Sequence, residues 1–169
     1  MTTWATRPEN GASDRAAIRD VTLAAFPTPL EADLVDALRA DPAWLPELSW
    51  LSVAPEGAVT GFSLLTRCHV GGAPALALGP CAVAPAHQRA GAGSAAIRAG
   101  LDRARALGEN LVVVLGHAEY YPRFGFTMAS PLGISAAFEV PDENLMALAL
   151  DPTAPVPSGE IRYAAPFGV

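Results

Sequence analysis

The sequence predicts a single α/β domain of the α+β type, in which helices flank a mixed, mostly antiparallel sheet with a splayed central strand pair. Three observations predict it. Apolar, strand-length segments follow one another across tight turns at residues 48–54, 58–66 and 75–83. An amphipathic helical stretch at residues 93–107 runs into the continuous apolar run Leu111-Val112-Val113-Val114-Leu115, the pattern of a crossover returning to a sheet covered on both faces. A chain of 169 residues, 51% hydrophobic and 17% charged, is large enough and apolar enough for one packed core.

Taken in order, residues 3–7 read as a short first strand, broken by Pro8-Glu9-Asn10-Gly11. Ser13 and Asp14 then stand as caps for a helix that runs to about Ala25. Pro27 and Pro29 interrupt, and Leu30, Leu34, Val35 and Leu38 recur at helical spacing, so a second helix follows. The strands at 48–54 and 58–66 are joined by Pro55-Glu56-Gly57, which reads as a hairpin connection. Gly71-Gly72 marks the next turn, and residues 75–83 form the third strand of this antiparallel run. Within it, Gly79-Pro80 cannot continue a regular ladder because proline has no N–H to donate, so a bulge or a splay is expected there.

In the helix at 93–107, Ala96, Ile97, Gly100, Leu101 and Ala104 share one face, and Gly108 ends it. A short helical turn is expected near residues 119–124, and strands near 133–139 and 145–150. Residues 1–150 are assigned to the domain. Residues 151–169 are assigned to a Pro-rich extension packed on it, with the DPTAPVPSGE stretch exposed.

Several functional classes are set aside by composition. The net charge is −6, and the eleven basic residues, all arginine, are scattered, whereas a nucleic-acid partner needs a concentrated positive surface. Cys68 and Cys81 lack CxxC spacing and the three histidines form no HExxH, so no metal is expected and both thiols read as small buried hydrophobes. No apolar run approaches the ~20 residues of a membrane span. The opening MTTWATRPENGASDR lacks the apolar core of a signal peptide. The expectations are therefore no membrane partner and a cytoplasmic location.

The most informative stretch is LALGPCAVAPAHQRAGAGSAAIRAGLDRARALG, an apolar strand leading through a glycine-containing turn into a helix. Gly91 and Gly93 let the backbone approach a ligand closely, the unpaired N–H groups of a helix start favour an anion, and Arg89 adds positive charge. An isolated GxG serves equally well as a plain strand-to-helix turn. The run from Gly91 also satisfies GxGxxA, the dinucleotide-binding pattern. That reading fails on context, because residues 84–90 separate Val83 from Gly91, and no acidic residue follows the strand at 111–115, where Gly116 stands.

Gln88-Arg89-Ala90-Gly91-Ala92-Gly93 fits the pattern Q/R-x-x-G-x-G/A, and Tyr121-Pro122-Arg123-Phe124-Gly125-Phe126 fits Y-x-x-x-G-F. With both in this order, the chain resembles the GNAT superfamily of N-acetyltransferases over roughly residues 3–150. It is most similar to the YhbS-like subgroup through VVLGHAEYYPRFGF. The resemblance implies acetyl-coenzyme A as co-substrate, no metal, and a small-molecule or peptide amine as acceptor of an acetyl or other short acyl group. It implies that the segment of Gln88, Arg89, Ala90, Gly91, Ala92, Gly93 and Ser94 cradles the coenzyme pyrophosphate. By the same resemblance Cys81, Ala82 and Val83 meet the pantetheine arm in strand-like fashion. Tyr121 stands where, in related enzymes, a hydroxyl lies near the coenzyme sulfur and serves as general acid. Homodimerisation is left open.

Direct transfer to an amine needs a neutral nucleophile, a polarised carbonyl and a proton for the departing thiolate. Glu31 at the start of the second helix, His117 after the parallel strand, and Glu119 are the available bases, with a water chain as the alternative. Glu31 reads equally as a first-turn helix residue favoured by the dipole, and His117 as a hydrogen-bonded strand-end residue. A thiol at Cys81 raises a covalent relay, but no neighbouring histidine stands ready to make a thiolate, so direct transfer is expected. The competing function is a non-catalytic acyl-coenzyme A binding or sensing module, against which Tyr121 argues.

Overall fold

The computed structural model describes residues 4–169, so Thr3 of the expected first strand lies outside the described residues. Strand β1 (Ala5–Pro8) leads into helices α1 (Gly11–Ala25) and α2 (Leu30–Arg39). An antiparallel meander follows, formed by β2 (Trp44–Val53), β3 (Val59–Val70) and β4 (Ala73–Leu78), with β1 added along β2. The expected third strand is in fact two, because β5 (Ala82–Val83) is separated from β4 by Gly79-Pro80-Cys81. After α3 (Ala92–Ala106) come β6 (Leu111–Leu115), the short β7 (Thr127–Met128) and β8 (Ile134–Ser135), then β9 (Leu145–Ala149) and β10 (Gly159–Arg162).

The sheet is mixed and mostly antiparallel. Among the described residues its parallel pairs are β4 with β6 and β8 with β10. The crossover through α3 therefore returns the chain parallel to β4, as the sequence predicts. Among the described residues, no helix is long and apolar enough to cross a membrane.

Strand β3 runs through the middle, and residues 60–66 are all buried because both faces are covered. Side-chain alternation sorts its contacts. Phe62 and Leu64 face α1 and α2, in a cluster with Ile18, Val35, Leu38 and Leu51. Ser63 and Leu65 face α3, where the Ser63 hydroxyl donates to the Ala96 carbonyl at 2.9 Å and Leu65 packs with Ile97 and Leu101. A bidentate Arg67–Glu109 pair, at 2.9 and 2.7 Å, ties the far end of β3 to the turn between α3 and β6.

Helix α1 begins at Gly11, two residues before the expected caps. The residue preceding it, Asn10, is extended at φ −147° and makes no side-chain cap. Asp14 instead sits inside the first turn, where its carboxylate accepts from the Asn10 amide at 2.7 Å and from both Arg7 guanidinium nitrogens at 2.5 and 2.9 Å. These bonds anchor the helix start on β1. The Arg7 guanidinium holds the Asp14 carboxyl below the usual carboxylate range, with burial opposing it and the Asn10 amide assisting. A carboxyl lowered on folding contributes stability above its unfolded pKa and loses it as pH falls through the folded one. In Asp14→Asn, the loss of stability on acidification below about pH 4 should therefore be shallower than in the parent. Urea midpoints measured at pH 3 and pH 7 check this.

The Pro-rich end is more ordered into the sheet than its composition suggests. Gly159 and Glu160, the latter exposed as expected, open β10, which pairs with β3 at Ile161↔Val70 and with β8 at Gly159↔Ile134. Ile161 is buried there. This pairing carries the following residues, Tyr163 to a turn at Ala165–Phe167, back over the middle of the sheet, where the turn meets α2.

Candidate active site

The site grows out of one irregularity. Strand β4 stays paired with β6 up to Leu78↔Val114, whereas β5 pairs with β3 alone, at Phe62↔Ala82 and Gly61↔Val83. Between these rungs the Gly79 amide donates to the Leu64 carbonyl at 2.8 Å, so the bulge stays bonded to β3 while moving away from β6. Past Leu115, Gly116 is held by Asn144 through two bonds of 2.9 Å, from its own amide to the Asn144 carbonyl and from the Asn144 side-chain amide to its carbonyl. The two central strands part, and two cavities open along the divide.

The first cavity, about 400 Å³, is lined by Val83, Gln88, Arg89, Gly91, Ala92, Gly93, Ser94, Tyr120 and Arg123. Arg89 and Gly91 both take left-handed backbone conformations, φ +62° and +92°, which turn the loop sharply into α3. The first bond of α3 runs from the Ala95 amide to the Gly91 carbonyl at 2.9 Å, leaving the amides of Ala92, Gly93 and Ser94 without intrahelical acceptors. Gly93 is there for space. A Cβ on it would stand 2.6 Å from a methyl of Val83, so a side chain would push the helix off β5. Three amides without intrahelical acceptors, the positive end of a helix dipole, two arginines and no carboxylate among the lining residues favour an anion here, despite the acidic chain. A diphosphate group fits these residues.

Arg123 was not picked out from the sequence as part of this cradle, nor was Tyr120. The Arg123 guanidinium lies 4.3 Å from the Tyr120 ring centre and donates to the Tyr120 carbonyl at 2.8 Å, while the Tyr120 hydroxyl shares a 2.9 Å bond with Ser94. Their neighbourhood to the glycine loop is a tertiary contact, and the motif spacing carries no sign of it. Trp4 is a further unread contributor. Its indole donates to the Ala90 carbonyl at 2.8 Å and its ring meets His87 edge-on, which fastens the loop to the start of the chain. Ala90 therefore takes part as a tether rather than as lining, and Ala82, in β5, is buried against β3 and lines neither cavity.

The second cavity, about 660 Å³, lies in the splay itself between the bulge and residues 113–117. It brings together Glu31 from the first turn of α2, Cys81 from the bulge, His117 from the end of β6, and Tyr121 from the turn Tyr121–Phe124. Glu119 does not line it, and lies 3.8 Å from His117 with both side chains 82% exposed. The Glu31 carboxylate accepts a 3.4 Å contact from the Thr28 hydroxyl.

Tyr121 is fixed by its surroundings. Its ring stands edge-on to Tyr120 at 5.0 Å and to Phe126 at 6.0 Å. Gly116 leaves the room the ring needs, since a Cβ there would overlap it. Among the described residues its hydroxyl has no hydrogen-bond partner. Burial, with Cys81 and Tyr120 close by, raises its pKa well above that of an ordinary phenol, so the group keeps its proton at neutral pH. Burial likewise pushes the Cys81 thiol up to about 12, which leaves it protonated and a poor nucleophile. Among the described residues no group of three or more His, Cys, Asp or Glu is arranged to hold a metal ion.

Comparison with known proteins gives this geometry its relatives. The chain is 38% identical over 162 residues to YjhQ, an uncharacterised N-acetyltransferase of Escherichia coli K12, covering 91% of this chain and 89% of that one. Among solved structures, a GNAT acetyltransferase of Brucella melitensis in complex with acetyl-coenzyme A is 34% identical, with a TM-score of 0.79 and 98% of each chain covered. The GNAT N-acetyltransferase YhbS of Escherichia coli, in complex with coenzyme A, is 25% identical, with a TM-score of 0.90 over 98% of this chain and 92% of that one. The family model described as "Acetyltransferase (GNAT) family" matches residues 15–126, which span the glycine loop and the Tyr121 turn. On these matches and the split sheet that accompanies them, the chain belongs to the GNAT family of acetyltransferases.

Proposed function

We propose that the protein transfers an acetyl group, or another short acyl group, from coenzyme A to a primary amine by direct attack, with no acyl-enzyme stage. The observation that carries this reading is the joining of an anion cradle to a reaction-sized cavity along β5, with Val83 lining the one and Cys81 the other. Acetyl-coenzyme A would supply the activated acyl group as a thioester. The amides of Ala92, Gly93 and Ser94, with Arg89 and Arg123, would hold the pyrophosphate, and residues 81–83 would guide the pantetheine arm toward the splay.

Tyr121 serves as the general acid in this reading. It is the only hydroxyl from the Y-x-x-x-G-F turn that faces the cavity, and its proton is retained at neutral pH. Glu31 and His117 are the groups positioned to take a proton from the incoming ammonium, directly or through water. The protonated Cys81 supports direct transfer over a covalent relay. The test follows thiol release from acetyl-coenzyme A in the presence of primary amines, beside calorimetric titration with coenzyme A. Amine-dependent release supports transfer. Tight coenzyme binding with no release for any amine would instead make the protein a binding or sensing module.

A further inference from the structure

The wall of the second cavity points to the kind of amine that enters it. Resting on the transfer reading above, we propose that the acceptor is a monocationic primary amine carrying an aromatic or extended apolar body. Its ammonium lies toward Glu31, and Phe138 and Phe167 act as specificity-determining residues.

The cavity is enclosed on its acceptor side by rings from three separate stretches of chain: Phe26 ahead of α2, Phe138 after β8, and Tyr163 and Phe167 after β10. Leu34, one turn beyond Glu31 on α2, adds an aliphatic surface. The rings form a continuous series, with Tyr163 6.2 Å from Phe138 and 5.4 Å from Phe167 between centroids. All four are partly buried and line the cavity.

Charge limits the occupant further. Among the described residues Glu31 is the only acidic side chain lining the cavity, and no arginine lines it. One ammonium can therefore be paired with a side chain, whereas a second or third would have no further acidic side chain to pair it along the ring wall, which is costly. An anionic body would meet Glu31 with no arginine to pair it, and a hydroxyl-bearing one would gain little from the ring wall. A phenyl or alkyl body, by contrast, gains from leaving water, and its fit to ring faces adds to that. The volume, about 660 Å³, accommodates such a body beside the end of a pantetheine arm.

The experiment compares 2-phenylethylamine, hexylamine, ethanolamine and spermidine, both as acceptors in the thiol-release assay and as ligands titrated into coenzyme A-saturated protein. Phenylethylamine should bind at least about tenfold more tightly than ethanolamine and show a kcat/KM higher by a similar factor. In Phe138→Ala and in Phe167→Ala, the phenylethylamine-to-ethanolamine ratio should narrow at least about threefold, mainly through KM. Thermal melting of each variant checks that it is folded, and the second substitution keeps the test valid if the first is not.

Equal binding of phenylethylamine and ethanolamine, or a preference for spermidine, would overturn the proposal even where transfer is active. Selective binding of phenylethylamine with no turnover of any amine would sustain the cavity assignment and sink the transfer reading instead.

Discussion

Replacing Tyr121 by phenylalanine should lower kcat about 10²- to 10³-fold while changing coenzyme A affinity by less than about threefold. The substitution removes one oxygen and keeps the ring, so the edge-on packing on Tyr120 and Phe126 survives. The hydroxyl has no protein partner among the described residues, so its loss leaves no buried group unpaired and little stability is at stake. In the proposed reaction what disappears is the proton offered to the departing thiolate. Because burial raises the pKa of this phenol, no fall in parent activity from its ionisation is expected up to about pH 9. Single-turnover rates beside calorimetric titration separate the two quantities. Equal turnover in the two proteins would take the acid role away from Tyr121, and a matching loss of coenzyme affinity would make it a packing residue of the pantetheine channel.

Gly93→Ala should weaken coenzyme A binding at least about tenfold, the worth of roughly one charge-assisted hydrogen bond. The added methyl would fall 2.6 Å from a Val83 methyl, closer than two carbons can approach. Either α3 slides away from β5 or the valine moves, and the amides of Ala92, Gly93 and Ser94 lose their common aim in the first case. Calorimetric titration with coenzyme A reads the change. Adding Val83→Ala removes the obstruction, so the double variant should recover most of the lost affinity. An unchanged affinity in Gly93→Ala, with the protein folded, would mean that the coenzyme pyrophosphate does not lie on the start of this helix. Failure of the double variant to recover would mean that the glycine acts by something other than its lack of volume.

Features that depend on neighbours in the chain were legible without a structure. The crossover helix, the strand 111–115, the hairpin at Pro55-Glu56-Gly57 and the break at Gly79-Pro80 each follow from periodicity or from a residue that cannot pair. The residues alone place the break within one strand, and the structure divides that strand because the bulge keeps its bond to β3 and abandons β6. The start of α1 was misplaced because Ser13 and Asp14 are good caps by type. Asp14 is drawn instead to Arg7, a partner on β1 that local propensity does not weigh.

By itself the sequence determined the glycine loop, the tyrosine turn and the order in which they occur, since each is a run of adjacent residues whose backbone geometry is set locally. Only the tertiary structure decided that Glu31, His117 and Tyr121 share a cavity, that Arg123 and Tyr120 line the other one beside the glycine loop, and that Phe138, Tyr163 and Phe167 line the first. The last of these meetings depends on β10 pairing with β3 and folding Tyr163 and Phe167 across the sheet. A strand so short, following a proline-rich stretch, is stabilised by the surface it covers rather than by its own composition, so nothing periodic in the residues themselves announces where it will lie.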